Sequence, residues 1–182
     1  VAVVNCFIHD IYDQTSGALT SSNADHLIYR NNRIFNEGDP SREFNGSGDH
    51  GIYVSDNSES IVAEGNTIEK TAGFGIHLWN SHGVPNTTRN VILRKNTIIN
   101  NAASGITVAG LTYQNIYIYN NTIYEEPVPY AAIHNSAGND TVTFHNGGTF
   151  SHIRILNNIG YGYSARASFS QDNHADFTSL IL

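Results

Sequence analysis

Val91-Ile92-Leu93-Arg94-Lys95-Asn96-Thr97-Ile98, followed after a short gap by Ser104-Gly105-Ile106-Thr107-Val108, reads as apolar-x-apolar-x-x-Asn-x-Ile and then Gly-Ile-x-Val. The same pattern stands earlier at Ile61-Val62-Ala63-Glu64-Gly65-Asn66-Thr67-Ile68 with Gly75-Ile76-His77-Leu78. It returns at Ile116-Tyr117-Ile118-Tyr119-Asn120-Asn121-Thr122-Ile123 with Ala132-Ile133-His134. A weaker copy is Leu27-Ile28-Tyr29-Arg30-Asn31-Asn32-Arg33-Ile34 with Gly51-Ile52-Tyr53-Val54. Self-similarity on this scale marks a stack of repeats, each too small to bury its own apolar face.

Aligning the copies produces a column Cys6, Asn32, Asn66, Asn96, Asn121 and Asn158, with successive spacings of 26, 34, 30, 25 and 37 residues. Such elastic spacing suits short strands joined by loops. Val, Ile, Tyr and Thr alternate with polar residues in the repeats, and Gly, Asn and Ser punctuate them. Helical periodicity is absent. The reading is all-β, a right-handed parallel β-helix of about six coils in one domain spanning residues 1–182. The alternation points Val3, Tyr29, Ala63, Leu93, Ile118 and Ile155 inward, and likewise Ile52, Ile76, Ile106 and Ile133. The asparagine column should lie at a bend, its side chains bonded along the stack. Cys6, first in that column, reads as a small buried hydrophobe. After Asn158 the pattern fails, so 160–182 are expected to form an irregular end that finishes in the strand-like Ser179-Leu180-Ile181-Leu182.

The composition bounds the partners. A formal net charge of −7 offers no electrostatic footing for nucleic acid. Charged residues are 14% against 40% hydrophobic, which argues for a folded chain. No apolar run reaches membrane-span length, and the single cysteine excludes an intrachain disulfide. Without a methionine or a recognisable leader, the sequence reads as a mature or excised piece of a longer product.

The Asn-Thr-Ile and Gly-Ile-x-Leu/Val coils at 66–78 and 96–108 resemble the right-handed parallel β-helix repeat proteins of the pectate-lyase-like superfamily. The resemblance covers residues 1 to about 160. It implies an extracellular or cell-surface protein that acts on or binds a polysaccharide, with lyase or uronate-epimerase chemistry ahead of glycoside hydrolysis. The same scaffold also serves non-catalytic segments of adhesins, spikes and surface proteins, which is the alternative.

Three inserts interrupt the coils: 35–50, 79–89, and the stretch from His134 to about Phe150. They flank an outward column Tyr53, His77, Thr107 and His134, with Leu19 as a poor first member. Rigid scaffolds present function on such loops. Tyr53 and His77 are candidate proton-transfer groups, joined by Asp49, His50 and Asp56. Asp49 and Asp56 would be the carboxylate pair of a hydrolase. Asp49-His50-Gly51-Ile52-Tyr53 holds residue types similar to the catalytic Tyr, His and Asp of β-helix mannuronan epimerases, in a different order. Trp79 would stack on a sugar ring, with Thr107, His134, Arg42 and Arg89 as further contacts. Calcium could neutralise a uronate through Glu37, Asp39, Glu43 and Asp49, although a solvated acidic loop is the simpler reading. The histidines lack zinc spacing. A second outward column, Arg30, Glu64, Arg94, Tyr119 and Leu156, reads as stacked opposite charges. Beside it Ile28, Val62, Ile92 and Tyr117 form an apolar file suited to self-association.

Overall fold

Each repeat folds as one coil of three strands. The computed structural model describes residues 1–12, 16–39, 48–81, 86–124, 141–145 and 148–161, with short strands at 169–171, 176–177 and 180–181. Coil one holds β1 (Ala2–Val4), β2 (Phe7–Ile11) and β3 (Gly17–Ser22); coil two holds β4 (Asp25–Arg30), β5 (Arg33–Glu37) and β6 (His50–Ser55). Coil three holds β7 (Glu59–Glu64), β8 (Thr67–Thr71) and β9 (Ile76–Asn80); coil four holds β10 (Thr87–Arg94), β11 (Thr97–Ile99) and β12 (Ile106–Gly110). Coil five holds β13 (Thr112–Tyr119), β14 (Thr122–Tyr124) and β15 (Val142–His145); coil six holds β16 (Thr149–Leu156), β17 (Ile159–Tyr161) and β18 (Phe169–Gln171). The first strands of the coils make sheet A, the second sheet B and the third sheet C. All pairings are parallel between successive coils, so the chain winds as a three-sided parallel β-helix.

The interior is made of columns. Val3, Tyr29, Ala63, Leu93, Ile118 and Ile155 stack in register. Sheet B adds Ile8, Ile34, Ile68, Ile98 and Ile123. Ile34, Ile52, Ile61, Ile68, Ile76, Ile98 and Ile106 are wholly buried. Burying one such side chain contributes about 1.5–3 kcal/mol, so the stacked columns carry the fold. On the outside of sheet B, Thr67, Thr97 and Thr122 form a threonine file that the sequence reading did not pick out.

The bend between sheets A and B explains the repeated asparagine. Asn5, Asn31, Gly65, Lys95, Asn120 and Asn157 all adopt positive φ one residue before the column. Asn and Gly tolerate that left-handed conformation best. The following asparagine then reaches along the axis. Asn96 Nδ2 donates to Ala63 O and to Asn121 Oδ1, both at 3.0 Å. Its Oδ1 accepts from Asn66 N and Nδ2, also at 3.0 Å. The same set recurs from Asn32 to Asn158. Cys6 differs from expectation. It is exposed in coil one, although its N–H still donates to Asn32 Oδ1.

The glycine of Gly-Ile-x-Val has a steric cause. A Cβ on Gly51, Gly75 or Gly105 would lie 2.4 Å from the Cγ2 of Ile68, Ile98 or Ile123. Each glycine leaves room for an isoleucine of the core.

On the outside of sheet A, Arg30 and Arg94 both pair with Glu64, at 3.3 and 3.1 Å. The apolar file Ile28, Val62, Ile92 and Tyr117 stands beside them in register and is half-buried. Arg154 closes it, over the Tyr117 ring at 5.8 Å. The described strands of the tail pair with the coils before them. β17 and β18 extend sheets B and C, while Asp176–Phe177 (β19) and Leu180–Ile181 (β20) pair with β16.

Candidate functional site

Sheet C carries the outward strip, and its register corrects the membership. The column runs Thr20, Tyr53, His77, Thr107 and Thr143. Leu19 is not its first member: it pairs with Ile52 and is buried in the core. The expected members Ile133 and His134 lie outside the described residues. Val142 stacks on Ile106, and Thr143 on Thr107.

At the centre of the strip His77 is enclosed by rings. His50, Phe74, Tyr53 and Trp79 have centroids 4.5, 4.7, 5.3 and 5.9 Å from it. It is only 4% exposed, and its Nε2 has no contact with solvent. His50 is not on the outer surface either. It lies at the start of β6, stacked on Phe74 at 5.2 Å and 1% exposed. The main-chain N–H of Phe74 donates to His50 Nδ1 at 3.1 Å, and His50 Nε2 lies 3.0 Å from His77 Nδ1. Burial drives the His50 pKa down to about 3, so the ring is neutral. Gly73 makes the fit close: a Cβ there would lie 2.4 Å from Gly48 O and 2.6 Å from His50 Nδ1.

Tyr53 and Trp79 are the ring members that reach solvent, both half-buried. They sit on adjacent strands, two residues out of register, since Tyr53 pairs with His77 and Ser55 with Trp79. Burial and then the nearby Asp56 charge push the Tyr53 pKa up, so its phenol keeps its proton. It presents a hydroxyl, not a phenolate base. Thr107 points outward but is wholly buried, and its Oγ1 has no hydrogen-bond partner among the described residues.

The remaining candidates are engaged in the scaffold or lie elsewhere. Asp56 Oδ1 accepts from Ser81 N at 2.8 Å and fixes the start of the second insert. Asp49 is buried with positive φ, packed where a Cβ on Gly38 would meet it at 2.5 Å. Arg89 is on sheet A and ion-paired with Glu59, away from the strip. Arg42 and Glu43 lie outside the described residues. Of the carboxylates expected to attract calcium, Glu37 and Asp49 are buried and Asp39 is half-buried. Among the described residues, no three His, Cys, Asp or Glu side chains converge as a metal site would require. Phe74 and Gly73 were missed by sequence reading. The signal was Gly73-Phe74-Gly75, an aromatic held between two glycines at the entrance to a strand.

This arrangement offers an aromatic surface on a neutral support.

No curated protein and no solved structure matches the chain. A family model does, described as "Right handed beta helix region", over residues 1–147. That span holds coils one to four with their asparagine ladder and the aromatic strip, and by it the chain belongs to the right-handed β-helix family.

Proposed function

We propose that the outer face of sheet C binds a polysaccharide, and a neutral one in preference to a polyuronate. The observation that carries this reading is the pair of half-exposed rings, Tyr53 and Trp79, held on adjacent rigid strands around His77. Aromatic faces held this way stack on the C–H faces of sugars at low entropic cost. Charge selects the ligand class. The described strands of sheet C contain no Lys or Arg, Asp56 lies beside Tyr53, and the whole chain carries −7. A polyanion would be repelled there. Uronate elimination or epimerisation finds less support, since His77 Nε2 is out of solvent and Tyr53 stays protonated. A glycan ligand agrees with the cell-surface or extracellular placement that the family resemblance implies.

Trp79 is the single tryptophan, so its fluorescence reports this face alone. Titration with neutral and acidic polysaccharides should shift its emission with neutral glycans, and Tyr53→Ala should weaken the response about tenfold or more. Unchanged emission across the panel would remove the reading. The appearance of unsaturated uronate absorbance with acidic polymers would replace it with a lyase.

A further inference from the structure

We infer that His50 is a positioning residue that locks His77 as a neutral imidazole protonated on Nε2, the fixed support on which Tyr53 and Trp79 rest. The importance of this lock to a ligand rests on the glycan-binding reading; the lock itself does not.

Phe74 N–H can only donate, so His50 Nδ1, 3.1 Å away, must accept. A neutral His50 then carries its proton on Nε2. That nitrogen lies 3.0 Å from His77 Nδ1, which must accept in turn. His77 is left with its proton on Nε2. An imidazolium at His50 would set an N–H against the Phe74 N–H. An imidazolium at His77 would set an N–H against the His50 N–H. Each clash occurs in a site sealed from water, where it cannot be screened. The rings have no room to turn away, because His50 is stacked on Phe74 and backed by Gly73.

The groups facing the pair do not oppose this assignment. Tyr53 comes from β6, Trp79 from β9 and Thr107 from β12, with Phe74 from the turn before β9 and Asp49 from the segment before β6. Asp49 is buried directly before His50 in the chain, and Asp56 lies beyond Tyr53, tied to Ser81 N. The low His50 pKa agrees with a neutral pair. The pair's charge and hydrogen-bond pattern are therefore constant across ordinary pH, and glycan affinity should be flat from about pH 5 to 8, where an unconstrained histidine titrates.

Nitrogen-15 spectra of the imidazoles test the lock without any ligand. In the wild-type chain both Nδ1 atoms should appear as acceptors and both Nε2 atoms as N–H, unchanged from about pH 5 to 8. His50→Leu should free His77 to exchange tautomers and titrate, and weaken binding of a neutral glycan about tenfold with a new pH dependence. His50→Gln can accept from Phe74 N–H and donate to His77, so it should restore the His77 tautomer and most of the affinity. If His50→Leu does not fold, the wild-type and His50→Gln spectra still decide. A wild-type His77 protonated on Nδ1, or either ring titrating in that range, overturns the lock. So does a His50→Leu chain with an unchanged His77 spectrum. The expected spectra in a chain that binds no glycan would uphold the lock and overturn only the binding reading.

Discussion

Replacing Asn96 by alanine should remove about 4 kcal/mol of stability. The figure comes from the ladder. Asn96 is buried, and its amide makes four hydrogen bonds, to Ala63 O, Asn121 Oδ1, Asn66 N and Asn66 Nδ2. Truncation leaves two buried main-chain groups, Ala63 C=O and Asn66 N–H, without these partners. Each orphaned group costs about 1–3 kcal/mol, the upper end applying where no water can enter. Asn158 makes the corresponding bonds to Asn121 and Ile118 but is half-buried. Water can replace its amide, so Asn158→Ala should cost only about 1–2 kcal/mol. Urea unfolding followed by circular dichroism supplies the totals. Hydrogen exchange at the Asn66 amide supplies the local reading, since that N–H should lose protection in Asn96→Ala first. Asn96→Asp sharpens the test. The introduced carboxylate keeps the acceptor but faces Ala63 O and Asn121 Oδ1 with a second acceptor. Its folded pKa is then raised above the ordinary value near 4, so stability falls as pH rises through that window and recovers on acidification. A loss below about 1 kcal/mol for Asn96→Ala, or equal losses at Asn96 and Asn158, would refute the ladder as a principal source of stability.

Three further outcomes follow from the same geometry. Gly75→Ala would set its Cβ 2.4 Å from Ile98 Cγ2 and 2.6 Å from Gly105 O, and should cost about 2 kcal/mol or more in a thermal melt; an unshifted midpoint would mean the columns yield easily. His50, with a folded pKa lowered to about 3, binds its proton in the unfolded chain before the native one. Stability should therefore fall as pH drops below the unfolded value near 6.5, by about 2 kcal/mol between pH 7 and 5, and His50→Gln should remove that part of the acid limb. The half-buried file Ile28, Val62, Ile92 and Tyr117 is expected to associate only weakly between copies; sedimentation should show mass rising with concentration and Ile92→Glu returning it to monomer, whereas a constant monomer mass would dismiss the surface.

The architecture was legible in the sequence because its causes are local and repeated. Every coil must bend once between sheets A and B, and the bend favours Asn or Gly at positive φ followed by an asparagine. Strand alternation then marks the inward residues, so Val3, Tyr29, Ala63, Leu93, Ile118 and Ile155 could be named without coordinates. Tyr53, His77 and Trp79 could be placed on one face by the same counting. What alternation cannot decide is depth, or which loop precedes which strand. His77 is outward by parity yet enclosed, because Phe74 from its own coil and His50 from the coil before it close over it. Cys6 is exposed although Asn32, Asn66, Asn96 and Asn121, which follow it in the column, are buried, a difference of depth that the pattern does not carry. That Val142 stands on Ile106 in coil five is set by the stacking of β15 on β12, because loop length varies freely between coils. Short-range chemistry in the sequence set the coil; contacts between residues 24 to 30 apart, such as Phe74 with His50 and Arg89 with Glu59, set the site's depth and took Arg89 out of it.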